Sequence, residues 1–280
     1  MTKVKRDYKS RMFTMIFSEK KELLSLYNAM ANRNYEDPEL LEINTLENAI
    51  YLSMKNDLSF IVDSRLKLYE HQSSYNPNIP LRFLMYLSNL YSNITARENL
   101  YGTKLVQIPS PQFIVFYNGI DERPEREMLR LSDAYMTHEK GVALELMVEV
   151  VNINVGYNEN MKAMCKTLND YTIYVQRIRD CMARGKTIEE AVDIVIEECI
   201  EKGILREFLI KNRAEAWAMS IFEYNEEEHM RMEREQHFAE GLQVGVVNTI
   251  KTLYENGMEV GKIAEYLKKD IKEIEKIIFE

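Results

Sequence analysis

The sequence predicts an α/β fold, a mixed sheet flanked by helices and followed by a helical C-terminal half. Three observations carry that expectation. Residues 56–72, NDLSFIVDSRLKLYEHQ, hold two strand-like runs on either side of Asp63-Ser64. Residues 112–117, QFIVFY, form a continuous apolar run stopped by Asn118-Gly119, and from about residue 157 the apolar spacing turns helical. Strand runs interleaved with helical stretches point to a sheet covered by helices.

In chain order, residues 12–30 place Phe17, Leu23, Leu24 and Tyr27 at helical spacing, with Ser18 as the expected N-cap. A short strand is expected at roughly Thr45–Met54, ahead of the hairpin. In the hairpin, Leu58–Val62 is apolar and Leu66–Gln72 alternates apolar with polar, while Asp63-Ser64 supplies turn chemistry. A helix follows: Asn78 can cap it, Pro80 suits its first turn, and Leu84, Leu87 and Leu90 form the expected apolar stripe. Gln112–Tyr117 reads as a buried strand, and another is expected within Leu144–Asn154. Beyond it come helices at 158–182, 187–202 and 204–224, the second capped by Thr187 with Glu190 completing a capping box. The charged stretch 226–240 suggests an exposed helix whose continuation Gly241 and Gly245 loosen. Two short amphipathic helices close the chain. Composition thus divides it into 1–156, 157–240 and 241–280.

With 46% apolar and 29% charged residues, the chain is that of an ordinary globular protein. Cys165, Cys181 and Cys199 are odd in number and form no CxxC, which argues against a zinc site or a disulfide framework and fits a reducing cytoplasm. The basic start lacks the apolar core of a signal peptide, and the longest apolar runs near it fall below the ~18 residues of a membrane span, so no membrane partner is expected. Net charge is −9, but unevenly spread: residues 1–34 hold eight Lys/Arg against three acids, and residues 186–240 seven against fifteen. An anion can therefore still approach the N-terminal part.

The chemistry sits on the hairpin. A turn at Asp63-Ser64 opposes Phe60 to Lys67, Ser59 to Leu68, Asp57 to Glu70 and Lys55 to Gln72. Alternation then gathers Asp57, Ser59, Leu68, Glu70 and Gln72 on one face. Opposed side chains lie about 4.5–5.5 Å apart at Cβ, where like charges repel. Such a pair calls for open water or for a cation between the carboxylates. Two carboxylates offer the hard oxygen ligands that Mg²⁺ takes alongside waters and phosphate.

At Asp57…Glu70-His71-Gln72 the sequence resembles the PD-(D/E)xK nuclease superfamily, and more closely the Rpn family of recombination-promoting nucleases and transposase-like proteins. The resembling stretches run in order: LYNAM (26–30), KNDLSFIVD (55–63), LYEHQSSYNPNIPLR (68–82), FIVFYNG (113–119), LSDAY (131–135), VNIN (151–154) and CIEKGILREFL (199–209). The resemblance implies an αβββαβ core and a Mg²⁺-dependent DNA endonuclease linked to recombination or mobile elements. It assigns Asp57 and Glu70 as metal ligands and Gln72 to the usual lysine position. Glutamine can orient water or bind phosphate, but it supplies no positive charge. The other readings kept open are a catalytically silent relative that binds DNA or protein, and a component of phage defence.

Lys55, across from Gln72, can supply the missing charge, although a lysine at a strand mouth commonly just reaches for water. Glu22 and Glu47 are candidate additional acids, against the plain reading of surface carboxylates. Arg82 and Tyr86 share a helix face and could meet phosphate or form a structural ion pair. His71 points away from Glu70 and reads as packing, while its backbone carbonyl can reach the metal. Trp217 reads as core. The tail around Gly261–Phe279 looks like a helix-turn-helix, but six lysines against seven acids after residue 250 suit helix docking or homo-oligomerisation as well as DNA.

Overall fold

Residues 12–43, 57–137 and 141–279 are described by the computed structural model, and their first elements are two helices, α1 (Met12–Phe17) and α2 (Lys20–Ala31). Ser18 does not cap α2. Its hydroxyl donates back to the Met15 carbonyl, and Glu19 occupies the N-cap position. Glu42–Ile43 forms a two-residue strand, β1. The strand expected at Thr45–Met54 lies outside the described residues. Then come β2 (Leu58–Val62) and β3 (Arg65–Gln72), paired antiparallel in the expected register, Phe60 with Lys67 and Ser59 with Leu68. Asp63 and Ser64 both take positive φ, 49° and 58°, the left-handed pair that a two-residue hairpin turn demands.

Helix α3 (Ile79–Ile94) carries the chain back so that β4 (Ser110–Tyr117) lies parallel to β3. Asn78 sits at its N-cap position without a side-chain cap bond. The buried stripe is Ile79, Phe83, Tyr86 and Leu90, with Leu84 and Leu87 only on its flank. β5 (Arg126–Arg130) was not expected. It is an edge strand antiparallel to β6 (Met147–Asn152), which itself runs parallel to β4. The six strands form one mixed sheet in the order β1-β2-β3-β4-β6-β5.

The anticipated helix 158–182 is two, α4 (Glu159–Met164) and α5 (Lys166–Ala183), broken at the extended Cys165. α6 (Ile188–Lys202) has the Thr187–Glu190 capping box, and Gly203 at φ 74° ends it. α7 (Arg206–Lys211) is short, and α8 (Arg213–Glu255) runs unbroken through Gly241 and Gly245. Each mid-helix glycine costs about 1 kcal/mol against alanine, which a helix of 43 residues absorbs without breaking. α9 (Val260–Leu267) and α10 (Ile271–Phe279) complete the chain.

Alternation along the strands builds two apolar layers. On one face Phe60, Tyr69, Ile114, Phe116 and Val151 pack against α1, α2 and the helices α4–α7. On the other, Leu66, Leu68, Phe113, Val115 and Val148 pack under α3. Contacts divide the chain into a unit ending at Asn225 and a second beginning at Glu226. In the second, Ile250, Ile263, Ala264 and Ile274 form a small core of their own. Among the described residues, no helix is long and apolar enough to cross a membrane.

Candidate functional site

Period-two alternation turns Glu70 and Gln72 to the α3 side of β3, beside Leu66 and Leu68, and both are buried at 4% and 6% exposure. Asp57, half-buried, immediately precedes Leu58, the first residue of β2, and its Oδ2 accepts the His71 backbone N–H at 2.8 Å. That bond draws the Asp57 carboxylate to the carboxyl end of β3. Because α3 crosses this face, Arg82 comes into reach: its Nη2 donates to Glu70 Oε1 at 2.7 Å and to the Tyr86 hydroxyl at 2.9 Å. Gln72 Nε2 approaches the same Glu70 oxygen at 3.4 Å. Asp57, Glu70, Gln72, Arg82 and Tyr86 thus gather on one side of the sheet.

Their electrostatics agree. Burial works against the Arg82 charge, yet Glu70, Tyr86 and Asp57 together hold its pKa above the usual value. Burial pushes the Tyr86 phenol up, and the charges of Glu70 and Asp57 add to the rise. Both carboxylates therefore act on one spot, and a cation, the Arg82 guanidinium, stands there. Two carboxylates near one guanidinium, one of them bonded to it, are hard oxygen donors of the kind a divalent ion takes. Among the described residues, no group of three or more His, Cys, Asp or Glu side chains gathers as a metal cluster.

His71 itself faces away, as expected. Its ring stacks on Phe13 at 4.9 Å and meets the Tyr171 hydroxyl at 3.0 Å. Glu22 lies elsewhere, on the other face of the sheet. It accepts the Thr167 hydroxyl and lines a cleft of about 430 Å³ with Lys166, Asp170 and Lys211. Trp217 packs against the core as a partly buried side chain. Lys55 and Glu47 lie outside the described residues.

Sequence reasoning missed the groups that hold the strand ends. Asn118 N–H donates to the Gln72 carbonyl at 3.0 Å, and a Cβ on Gly119 would run into the Ser73 carbonyl and the Tyr117 ring. Only glycine lets β3 and β4 close so tightly beyond their last pair. Arg123, stacked on Tyr75 at 3.8 Å, adds another cation on the α3 side. Their signal was present in FYNG and VNIN, but those runs announce strand ends and not which strand they secure. Comparison of the chain with protein-family models, curated proteins and solved structures found no match.

Proposed function

We propose that the chain is a Mg²⁺-dependent DNA endonuclease of the PD-(D/E)xK type, akin to the Rpn recombination-promoting nucleases. The observation that carries the proposal is the placement of Asp57, bonded to the His71 N–H, and Glu70 at the carboxyl end of β3, with Gln72 and Arg82 in contact with Glu70. Asp57, Glu70 and the His71 carbonyl would hold the metal. Bound there, Mg²⁺ supplies an electrophile for the scissile phosphate and a water of lowered pKa.

The chain's own residues do the rest. Glu70 can exchange its Arg82 partner, because 39% of the Arg82 side chain is exposed and free to swing to a phosphate oxygen. Tyr86 steadies that guanidinium. Gln72 accepts a hydrogen bond from the attacking water and orients it, while the water's proton passes to solvent. A bond forms between water oxygen and phosphorus, and the bond from phosphorus to one sugar oxygen breaks, leaving a phosphate end and a hydroxyl end. In the register expected from the sequence Lys55 opposes Gln72, and a lysine there would contribute a positive charge to the developing oxyanion.

A second reading has its own support. The short Arg82–Glu70 pair neutralises a proposed ligand, and Gln72 brings no charge. Both features suit a silent relative that binds nucleic acid without cutting it. Incubating supercoiled plasmid with protein and Mg²⁺, beside an Asp57→Ala control, separates the two readings. Cleavage by the parent alone supports the nuclease, and binding without cleavage by either supports the silent relative.

A further inference from the structure

The site's strand is anchored from the far side of the sheet, by helix α5. His71 links the two faces: its backbone N–H donates to Asp57 on one side, and its ring meets the Tyr171 hydroxyl on the other. Tyr171 is wholly buried and also accepts from Asn118 Nδ2 at 3.4 Å. Asn118 in turn holds the Gln72 carbonyl through its N–H. About two helical turns further along α5, Arg179 donates through Nη2 to the Asn118 carbonyl at 2.5 Å and through Nη1 to Asn154 Oδ1 at 3.2 Å. Asn154 closes the circuit on the Gly119 carbonyl at 2.9 Å.

Residues 71 and 72 of β3 are therefore held from α5 by Tyr171, through the His71 ring and Asn118, and by Arg179, through the Asn118 carbonyl. We infer that Tyr171 is a positioning residue for this site: its hydroxyl fixes the His71 ring, and so the peptide that donates to Asp57 and carries Glu70 and Gln72 on either side. The physical reason is leverage. The Tyr171 hydroxyl is buried between a histidine nitrogen and an asparagine amide, so deleting the oxygen removes one bond from each of two buried polar groups. A ring that loses this hold is freer to shift, and a shift that pulls on the residue 71 backbone displaces the N–H that Asp57 accepts. Catalytic geometry tolerates such shifts poorly. Tyr174, on the same helix, supplies the comparison: its buried hydroxyl bonds Ser220 of α8 at 2.9 Å.

The inference rests on the nuclease reading for its consequence, but not for its geometry, and the test keeps the two apart. In the full chain, Tyr171→Phe and Tyr174→Phe are compared by thermal melting, by amide hydrogen exchange at His71, and by plasmid cleavage. Both variants should lose a similar few degrees of Tm. Only Tyr171→Phe should speed His71 amide exchange, by about tenfold, and lower kcat by about tenfold with KM unchanged, as expected for one buried hydrogen bond that acts through orientation. Equal effects of the two variants, or an unchanged His71 amide in Tyr171→Phe, would overturn the inference. A parent that never cleaves would overturn the nuclease reading, while the His71 amide would still decide whether Tyr171 positions the strand.

Discussion

The guanidinium of Arg82 on α3 lies 2.7 Å from the Glu70 carboxylate on β3, and so sets a cation against the buried acid of the hairpin. The Glu70 charge is thereby answered inside the protein and not by open water, since Glu70 is 4% exposed. A divalent ion would take over the same electrostatic duty.

Arg82→Ala should therefore destabilise the metal-free protein, because it leaves a buried carboxylate beside a second acid. The cost should be about 2 kcal/mol, below that of breaking a fully buried pair because Arg82 keeps contact with water. Mg²⁺ should restore part of the loss, raising the Tm of Arg82→Ala more than that of the parent. Melts with and without millimolar Mg²⁺ check this. Equal Mg²⁺ shifts in both proteins would show that the arginine and the metal do not share a place.

Gln72 and Lys55 give the second prediction. Lys55→Met should slow cleavage about a hundredfold, the order of effect of one well-placed transition-state donor. Gln72→Lys should be tolerated or raise the rate, since a side chain at 72 already reaches Glu70. The double variant should recover much of the loss in single-turnover assays. Full activity of Lys55→Met would return Lys55 to the role of a surface lysine.

Lys67 sets a pH dependence of stability. It is buried on the other face of β3, bonded to Gln112 and set 5.2 Å from the Tyr27 ring. Burial, and then the Arg65 charge, pull its pKa from the usual 10.5 down to about 8. Between those values the unfolded chain binds more protons than the folded one, so stability rises with pH. Below pH 8 the cost of burying the ammonium is present in full. The parent should thus gain stability relative to Lys67→Met between pH 8 and 10, by on the order of 1 kcal/mol per pH unit. Denaturant melts at pH 7, 8, 9 and 10 measure it. A difference that stays flat would mean that Lys67 keeps its charge in the fold.

The fourth prediction concerns chain length. The layer of Phe60, Tyr69, Ile114 and Phe116 is covered in large part by α4–α7. A chain ending at residue 156 should expose that layer and aggregate, whereas one ending at Asn225 should stay monodisperse on size exclusion. A well-behaved 1–156 fragment would contradict the described packing.

Local chemistry was legible in the sequence and tertiary reach was not. The hairpin register followed from Asp63-Ser64 and strict alternation, which leave one pairing that buries Leu66 and Leu68 together. The capping box of α6 followed from Thr187 and Glu190 alone. β5 was missed because REMLR, at the sheet edge, has no apolar run to mark it. Ser18 misled because a serine between two short helices can bond backward as readily as forward. The pairing of Arg82 with Glu70 could not be read locally, since it depends on how α3 crosses the sheet. The Arg82–Tyr86 contact, four residues apart on one helix, could be.

The most direct measurement is single-turnover cleavage of a labelled DNA duplex across a Mg²⁺ titration, with the parent, Asp57→Ala and Glu70→Gln side by side. The parent's rate should rise with Mg²⁺ to a plateau and fall to background in EDTA. Both variants should stay at background at every concentration while melting as cooperatively as the parent. Metal-independent cutting, or parent-like rates in either folded variant, would contradict the assignment of Asp57 and Glu70 as the ligands of a nuclease site.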